Sequence, residues 1–152
     1  MAAGVEIKGL NEFRRELKAM GPEFPRELRV IHKDIADRVA ADARSIASGM
    51  SRLQASAAPM IRGYASQREA RVGFPGGTKA GAAFWGMRRH TGWYAGKTGR
   101  PQAPKWVGAG WEPGVAGQGP YAINDALARK VPDIVLRFER MIEDLASRAF
   151  PD

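Results

Sequence analysis

The sequence predicts an α+β fold: a long amphipathic helix and a C-terminal helix packed on a small antiparallel sheet, with a long Gly/Trp-rich arm. Three observations carry this. Apolar residues recur every three or four positions from Leu28 to Met50, and again from Ile134 to Ala149, which is the spacing of one helix face. Between them Ala70, Val72 and Phe74 alternate with Arg71 and Gly73, which is the spacing of one sheet face. Helical and strand-forming blocks are segregated along the chain, which places helices on one side of antiparallel strands.

Val5-Glu6-Ile7 alternates and predicts a short edge strand that Gly9 ends. Leu10, Phe13, Leu17 and Met20 mark a short amphipathic helix, with Asn11 near the capping position. Gly21-Pro22 stops it. The long helix then spans 25–50, with Pro25 in its first turn and Glu23 and Glu27 near its positive end. Its stripe is Leu28, Ile31, Ile35, Val39, Ala43, Ile46 and Met50; Ala36, Ala40 and Ala47 beside it allow close approach of another element. A rod of this length spans about 39 Å, so the rest of the chain packs along it. Residues 51–58 read either as a last loose turn or as a connector, closed by Pro59. Two strands over 60–65 and 70–74 follow, joined by Ser66-Gln67-Arg68-Glu69 as a four-residue hairpin connection. Gly63 and Gly73 weaken both strands. A last helix begins near Ala122, and Pro132 either kinks it or opens a new one over 132–149.

Residues 75–119 are the unusual part. They hold twelve of the eighteen glycines and all four tryptophans, a combination that reads as an extended arm ordered against something else. Glycine-rich backbone is costly to order alone, whereas buried tryptophan offers a large apolar area. The arm is therefore expected to be mobile in an isolated subunit. Trp106-Val107-Gly108 could add a third strand within it. The reading for the whole chain is one domain over 1–152, with the basic arm at 75–119.

The net charge of +8 is concentrated. Residues 52–110 carry ten Lys/Arg and a single acid, Glu69, while both flanks are nearly balanced. Such a segment points to an anionic partner, either nucleic acid or an acidic protein surface. In the arm Arg88, Arg89, Arg100 and Lys105 interleave with Trp85, Trp93, Tyr94, Trp106 and Trp111. These residues are the candidate partner or intersubunit contacts. Aromatic rings with cations hold single-stranded nucleic acid, and the same residue types dominate protein–protein hot spots. The tryptophans could also simply cover the sheet, so three readings stay open.

Little points to catalysis. Gly96-Lys97-Thr98 looks like the end of a phosphate loop, but the required earlier glycine is Thr91, and Pro101 and Pro104 forbid a following helix. His32 falls at the edge of the long helix's stripe and His90 lies in a basic cluster, with no carboxylates at ligand spacing. No serine occupies a strained nucleophile turn. There is no cysteine, hence no disulfide framework or thiolate ligand. The expectation is no enzyme, no catalytic residue, no metal and no cofactor. No apolar run reaches membrane-span length and the N-terminus lacks the core of a signal peptide, so synthesis inside the cell is expected.

The opening Val5-Glu6-Ile7-Lys8-Gly9-Leu10-Asn11-Glu12-Phe13, the short helix and the long Ala-rich helix resemble the neck or tail-completion proteins of long-tailed bacteriophages, often described as minor tail components. Pro120-Tyr121-Ala122, then Asp125-Ala126-Leu127 and a closing amphipathic helix, are similar too. The resemblance covers 4–74 and 118–150. It departs at Ser48-Gly49-Met50-Ser51-Arg52-Leu53, where many members have a Pro, Thr-Gly and Leu segment, and it has no counterpart over 75–117. The resemblance implies a non-enzymatic virion part, made in the host cytoplasm, that assembles into a ring at the head–tail junction. The ring is commonly a hexamer, touches neighbouring head-connector and tail proteins, and lets genomic DNA pass through its centre. A small basic nucleic-acid-binding protein is the competing expectation, although no helix-turn-helix, zinc or RNA-recognition pattern is present.

Overall fold

The computed structural model describes residues 8–50, 52–76, 79–85 and 120–151. Along these the chain forms α1 (Leu10–Met20), α2 (Glu23–Ser48), α3 (Arg52–Ala57), a short 3-10 turn at Ala58–Met60, strands β1 (Arg62–Ala65) and β2 (Ala70–Gly73), α4 (Lys79–Trp85) and α5 (Ile123–Ala149). The class is α+β, predominantly helical, with one two-stranded antiparallel sheet. The strand predicted at 5–7 and the one at 106–108 lie outside the described residues.

The cap of α1 lies two residues earlier than Asn11, where the sequence suggested it. Gly9 takes a left-handed φ of 79° and its carbonyl accepts the Phe13 N–H at 3.0 Å, so glycine is the cap and Asn11 lies inside the first turn. Helix α2 is the predicted hub. Its buried surface is wider than the predicted stripe: besides Leu28, Ile31, Ile35, Val39 and Ala43, it hides His32, Ala36, Ala40 and Ala47. Met50 falls outside the helix and is exposed. The ambiguous stretch after it resolves into α3 and the 3-10 turn, with Pro59 inside that turn, where its missing N–H is tolerated.

The hairpin has the expected connection. Arg62 pairs with Gly73, Gly63 with Val72, Tyr64 with Arg71 and Ala65 with Ala70. The Ser66 N–H donates to Glu69 O at 2.9 Å, and the Ser66 hydroxyl accepts the backbone N–H groups of Arg68 and Glu69. The sheet lies on α2, and Gly63 shows how closely. A Cβ built there would sit 2.7 Å from the Ala36 carbonyl carbon and 2.8 Å from the Asp37 nitrogen. The glycine that weakens the strand pattern is what lets strand backbone meet helix backbone. Helix α2 also covers the outer edge of β1: the Lys33 ammonium donates to Gly63 O at 3.1 Å and Arg44 to Ile61 O at 2.8 Å.

Helix α5 runs unbroken through Pro132. Proline forfeits the N–H that would reach the carbonyl of Ala128, but both residues are exposed, so water can satisfy that oxygen. Packing against α2 on the other side holds the helix together across the defect. The two-helix alternative, with an opening at 132, is not what forms.

Two buried clusters result. One joins Leu17, Leu28, Ile31, Ile35, Phe138, Leu145 and Ala149, with Phe24 of the first turn of α2 packed against it. The other joins the C-terminal half of α2 to α3, Ile61, α4 and the start of α5. Ile134 touches both.

Candidate interaction surfaces

Seven of the residues read as arm form α4, and three of them belong to the core. In α4 Ala80, Ala83 and Phe84 are buried at i, i+3 and i+4 spacing, and the Phe84 ring meets Phe74 at 5.4 Å between centroids. That spacing is legible in the sequence, but Gly81 and the surrounding glycines mask it. The buried Gln54 of α3 donates its side-chain N–H to Ala83 O at 3.2 Å, satisfying a carbonyl at the end of a short helix. The next carbonyl, Phe84 O, accepts the Tyr121 N–H at 2.7 Å.

That last bond defines a root. It joins the two ends of the stretch outside the described residues, with Trp85 directly after Phe84 and Pro120 directly before Tyr121. A three-residue turn of the rarer hand follows: Ile123 N–H donates to Tyr121 O at 2.7 Å across Ala122, whose φ is 62° and ψ −47°. Ala122 is fully buried, so a small side chain is required where the backbone is strained. The Asp125 carboxylate accepts the Ala122 N–H at 3.3 Å, and Ala122 has no side-chain acceptor to return the favour.

Of the predicted contact residues, Trp85 lies at this root with 45% of its surface exposed, one position beyond the wholly buried Phe84. Arg88, Arg89, Trp93, Tyr94, Arg100, Lys105, Trp106 and Trp111 lie outside the described residues, as does His90. Glu69 is exposed on the hairpin connection.

His32 is deeper than its edge position suggested, at 2% exposure. Its ring stacks on Phe138 with centroids 5.9 Å apart, and its Nδ1 donates to Ser66 O at 2.7 Å. The imidazole therefore ties the hairpin connection to the α2–α5 pair, a structural use that absorbs one nitrogen and one ring face. Among the described residues no group of three His, Cys, Asp or Glu side chains could hold a metal ion. None of the described helices is long and apolar enough to cross a membrane.

The α2–α5 seam carries the main electrostatic feature. Asp34 Oδ2 accepts Arg38 Nε at 3.0 Å and Arg137 Nε at 2.9 Å. Burial pushes this carboxyl up, but the hydrogen bonds and charges of Arg38 and Arg137 outweigh it and hold its pKa below the usual value. Arg148 of α5 likewise reaches Glu27 of α2.

A turning hairpin, an exposed indole at a pinned root and a two-helix spine make surfaces for contact. No protein-family model matches the chain, and no curated protein or solved structure matches it either.

Proposed function

We propose that this chain is a non-enzymatic structural subunit of a bacteriophage head–tail junction, a neck or tail-completion protein that assembles into a six-fold ring. The observation that carries the reading is the pinned root. The two stretches that resemble the family, 4–74 and 118–150, meet in one packed body through α2 and α5; of the stretch without a counterpart, α4 packs into that body and ends beside one hydrogen bond, Tyr121 to Phe84. A segment inserted at one place can vary and reach a neighbour without disturbing the body that carries it. Trp85 and the arm residues Arg88, Arg89, Trp93, Tyr94, Arg100, Lys105, Trp106 and Trp111 then contact the next subunit or the adjoining head-connector and tail rings, and genomic DNA passes through the centre. A closed ring needs a head-to-tail interface, in which such a segment meets a different face of its neighbour. The protein's place is the virion, after synthesis in the host cytoplasm.

The test is negative-stain imaging with mass photometry of the purified full chain. Rings of six copies are expected, and removing the indole with Trp85→Ala should shift them toward monomers. A protein that stays monomeric at high concentration but retains duplex DNA decides for the alternative, a small basic nucleic-acid-binding protein, which the concentration of charge in 52–110 favours.

A further inference from the structure

The exposed face of the β1–β2 hairpin has no place in the contacts above. Strand alternation puts Arg62 and Tyr64 of β1 on the side away from α2, and the register sets Arg71 of β2 directly opposite Tyr64. The Arg71 guanidinium lies over the Tyr64 ring, 5.5 Å from its centroid. Gly73 stands opposite Arg62 and puts no side chain there; the Tyr64 ring edge lies 4.0 Å from where its Cβ would be. Arg68 is exposed on the connection at the tip. Among the described residues none of these three arginines forms an ion pair, as is also true of Arg26 and Arg29 on α2 and of Arg129 and Arg140 on α5. The only acid on the hairpin is Glu69.

We propose that this face, through Arg62, Arg68 and Arg71, binds the phosphate backbone of duplex DNA without reading its sequence. Like charges gathered on one small ribbon repel one another, and an anion that bridges them relieves this. All three are arginine, whose planar fork matches a phosphate with two parallel hydrogen bonds. An acidic protein partner is the weaker fit, because a protein interface has an apolar core inside its polar rim. This face has no apolar centre: beside the arginines it offers only Gly73 and the half-exposed Tyr64, one face of whose ring Arg71 already covers. A polar, strongly positive and flat surface is the character of a nucleic-acid contact. With one ring face taken by Arg71, less of the ring is left for an unstacked base, which favours duplex over single strand. The opposite face of the ribbon is held on α2 by Gly63, so the hairpin lies along a backbone and does not thread a groove with both faces. The inference stands on the hairpin alone and does not need the ring.

The experiment is fluorescence anisotropy of the full-length protein with a short labelled duplex of arbitrary sequence, titrated between about 50 and 200 mM salt, the range over which phosphate contacts weaken steeply. The variant replaces Arg62, Arg68 and Arg71 together by Gln. A plot of log affinity against log salt should become shallower by about 2 to 3, roughly one unit for each phosphate no longer neutralised. The triple replacement by Lys should keep most of the slope. If the Gln triple lowers the melting temperature, the single changes Arg62→Gln and Arg68→Gln, each at a side chain without a described partner, should each lower the slope by about one. Three results overturn the proposal: no binding by the wild type at low salt, an unchanged affinity and slope in the Gln triple, or polyglutamate competing as tightly as DNA, which would assign the face to an acidic protein. A monomer that binds DNA through these arginines keeps this inference and removes the ring. A ring whose DNA binding ignores all three substitutions does the reverse.

Discussion

The two halves of α2 are built on opposite packing rules. The N-terminal half presents Leu28, Ile31 and Ile35, which meet Leu17 of α1 and Phe138 and Leu145 of α5. Large side chains hold those helices apart at ordinary interhelical separation and fill the space between. The C-terminal half presents Val39, Ala40, Ala43 and Ala47, and much of what packs there is also small: Ala57, Ala58, Ala80, Ala83, Ala122 and Ala126, around Ile61, Phe84 and Ile123. Alanine removes the spacer, so elements approach backbone to backbone, as Gly63 does against Ala36 and Asp37. One end of the helix is stabilised by volume and the other by proximity. The first tolerates a change of shape and suffers from a loss of volume; the second should behave the other way round. The proximity end also holds the bond between Phe84 and Tyr121, so the region at the two ends of the undescribed stretch is the one least able to accept bulk.

That contrast can be broken, beginning with the largest effect. Ile35→Asp places an uncompensated charge in the volume-filled cluster and should abolish the cooperative thermal transition; a melting temperature equal to that of the wild type would remove Ile35 from the core. Leu28→Ala should cost about 2–5 kcal/mol in chemical denaturation through the lost transfer energy and the cavity left behind. Ala40→Leu at the other end should cost about 1–3 kcal/mol through overpacking, although it adds apolar area. If Ala40→Leu instead stabilises the protein, the close-packed description of that end is wrong. Gly63→Val should release the hairpin from α2 while α1, α2 and α5 stay together, read as amide exchange accelerated over 61–74 and unchanged over 24–35.

The smallest effect sharpens the comparison electrostatically. The folded-state pKa of Asp34 lies below 3.8, so the unfolded chain takes up that proton more readily than the folded one. The stabilisation is present above the ordinary carboxylate value and is lost as pH falls through the folded value. About a third of the side chain is exposed, and water screens the pair. Asp34→Asn should therefore cost at most about 1 kcal/mol near neutrality. In a pH series of melting temperatures the gap between variant and wild type should close below about pH 3.8; a gap that persists would assign the effect to packing.

Periodicity alone made α1, α2 and the last part of α5 visible, because a helix that buries one face writes its period of 3.6 locally into the chain, as in Leu28, Ile31 and Ile35. The hairpin was visible for the same reason at period two, with Ser66 to Glu69 supplying the connection. Alanine and glycine do not write such a record. Ala80 and Ala83 look alike whether buried or exposed, so the sequence placed α4 in the arm and the structure places it in the core. Gly63 looked like a flaw in a strand until the backbone of α2 was found against it. Trp85 is a candidate contact residue by type, but its position beside the bond from Tyr121 to Phe84 was not legible, because that bond joins residues far apart in sequence. Nor was the hairpin's arginine face, since only the register shows that Tyr64 and Arg71 are opposite and unpaired by acids.

The amino-acid order was enough to set the strongly patterned elements and their succession, since hydrophobic period and turn chemistry act over a few residues. Packing settled which small residues are buried, that α5 passes through Pro132 without breaking, and where His32 and the root of the inserted segment lie. Those outcomes depend on which surface another element happens to cover, and a residue with little or no side chain carries no local mark of that.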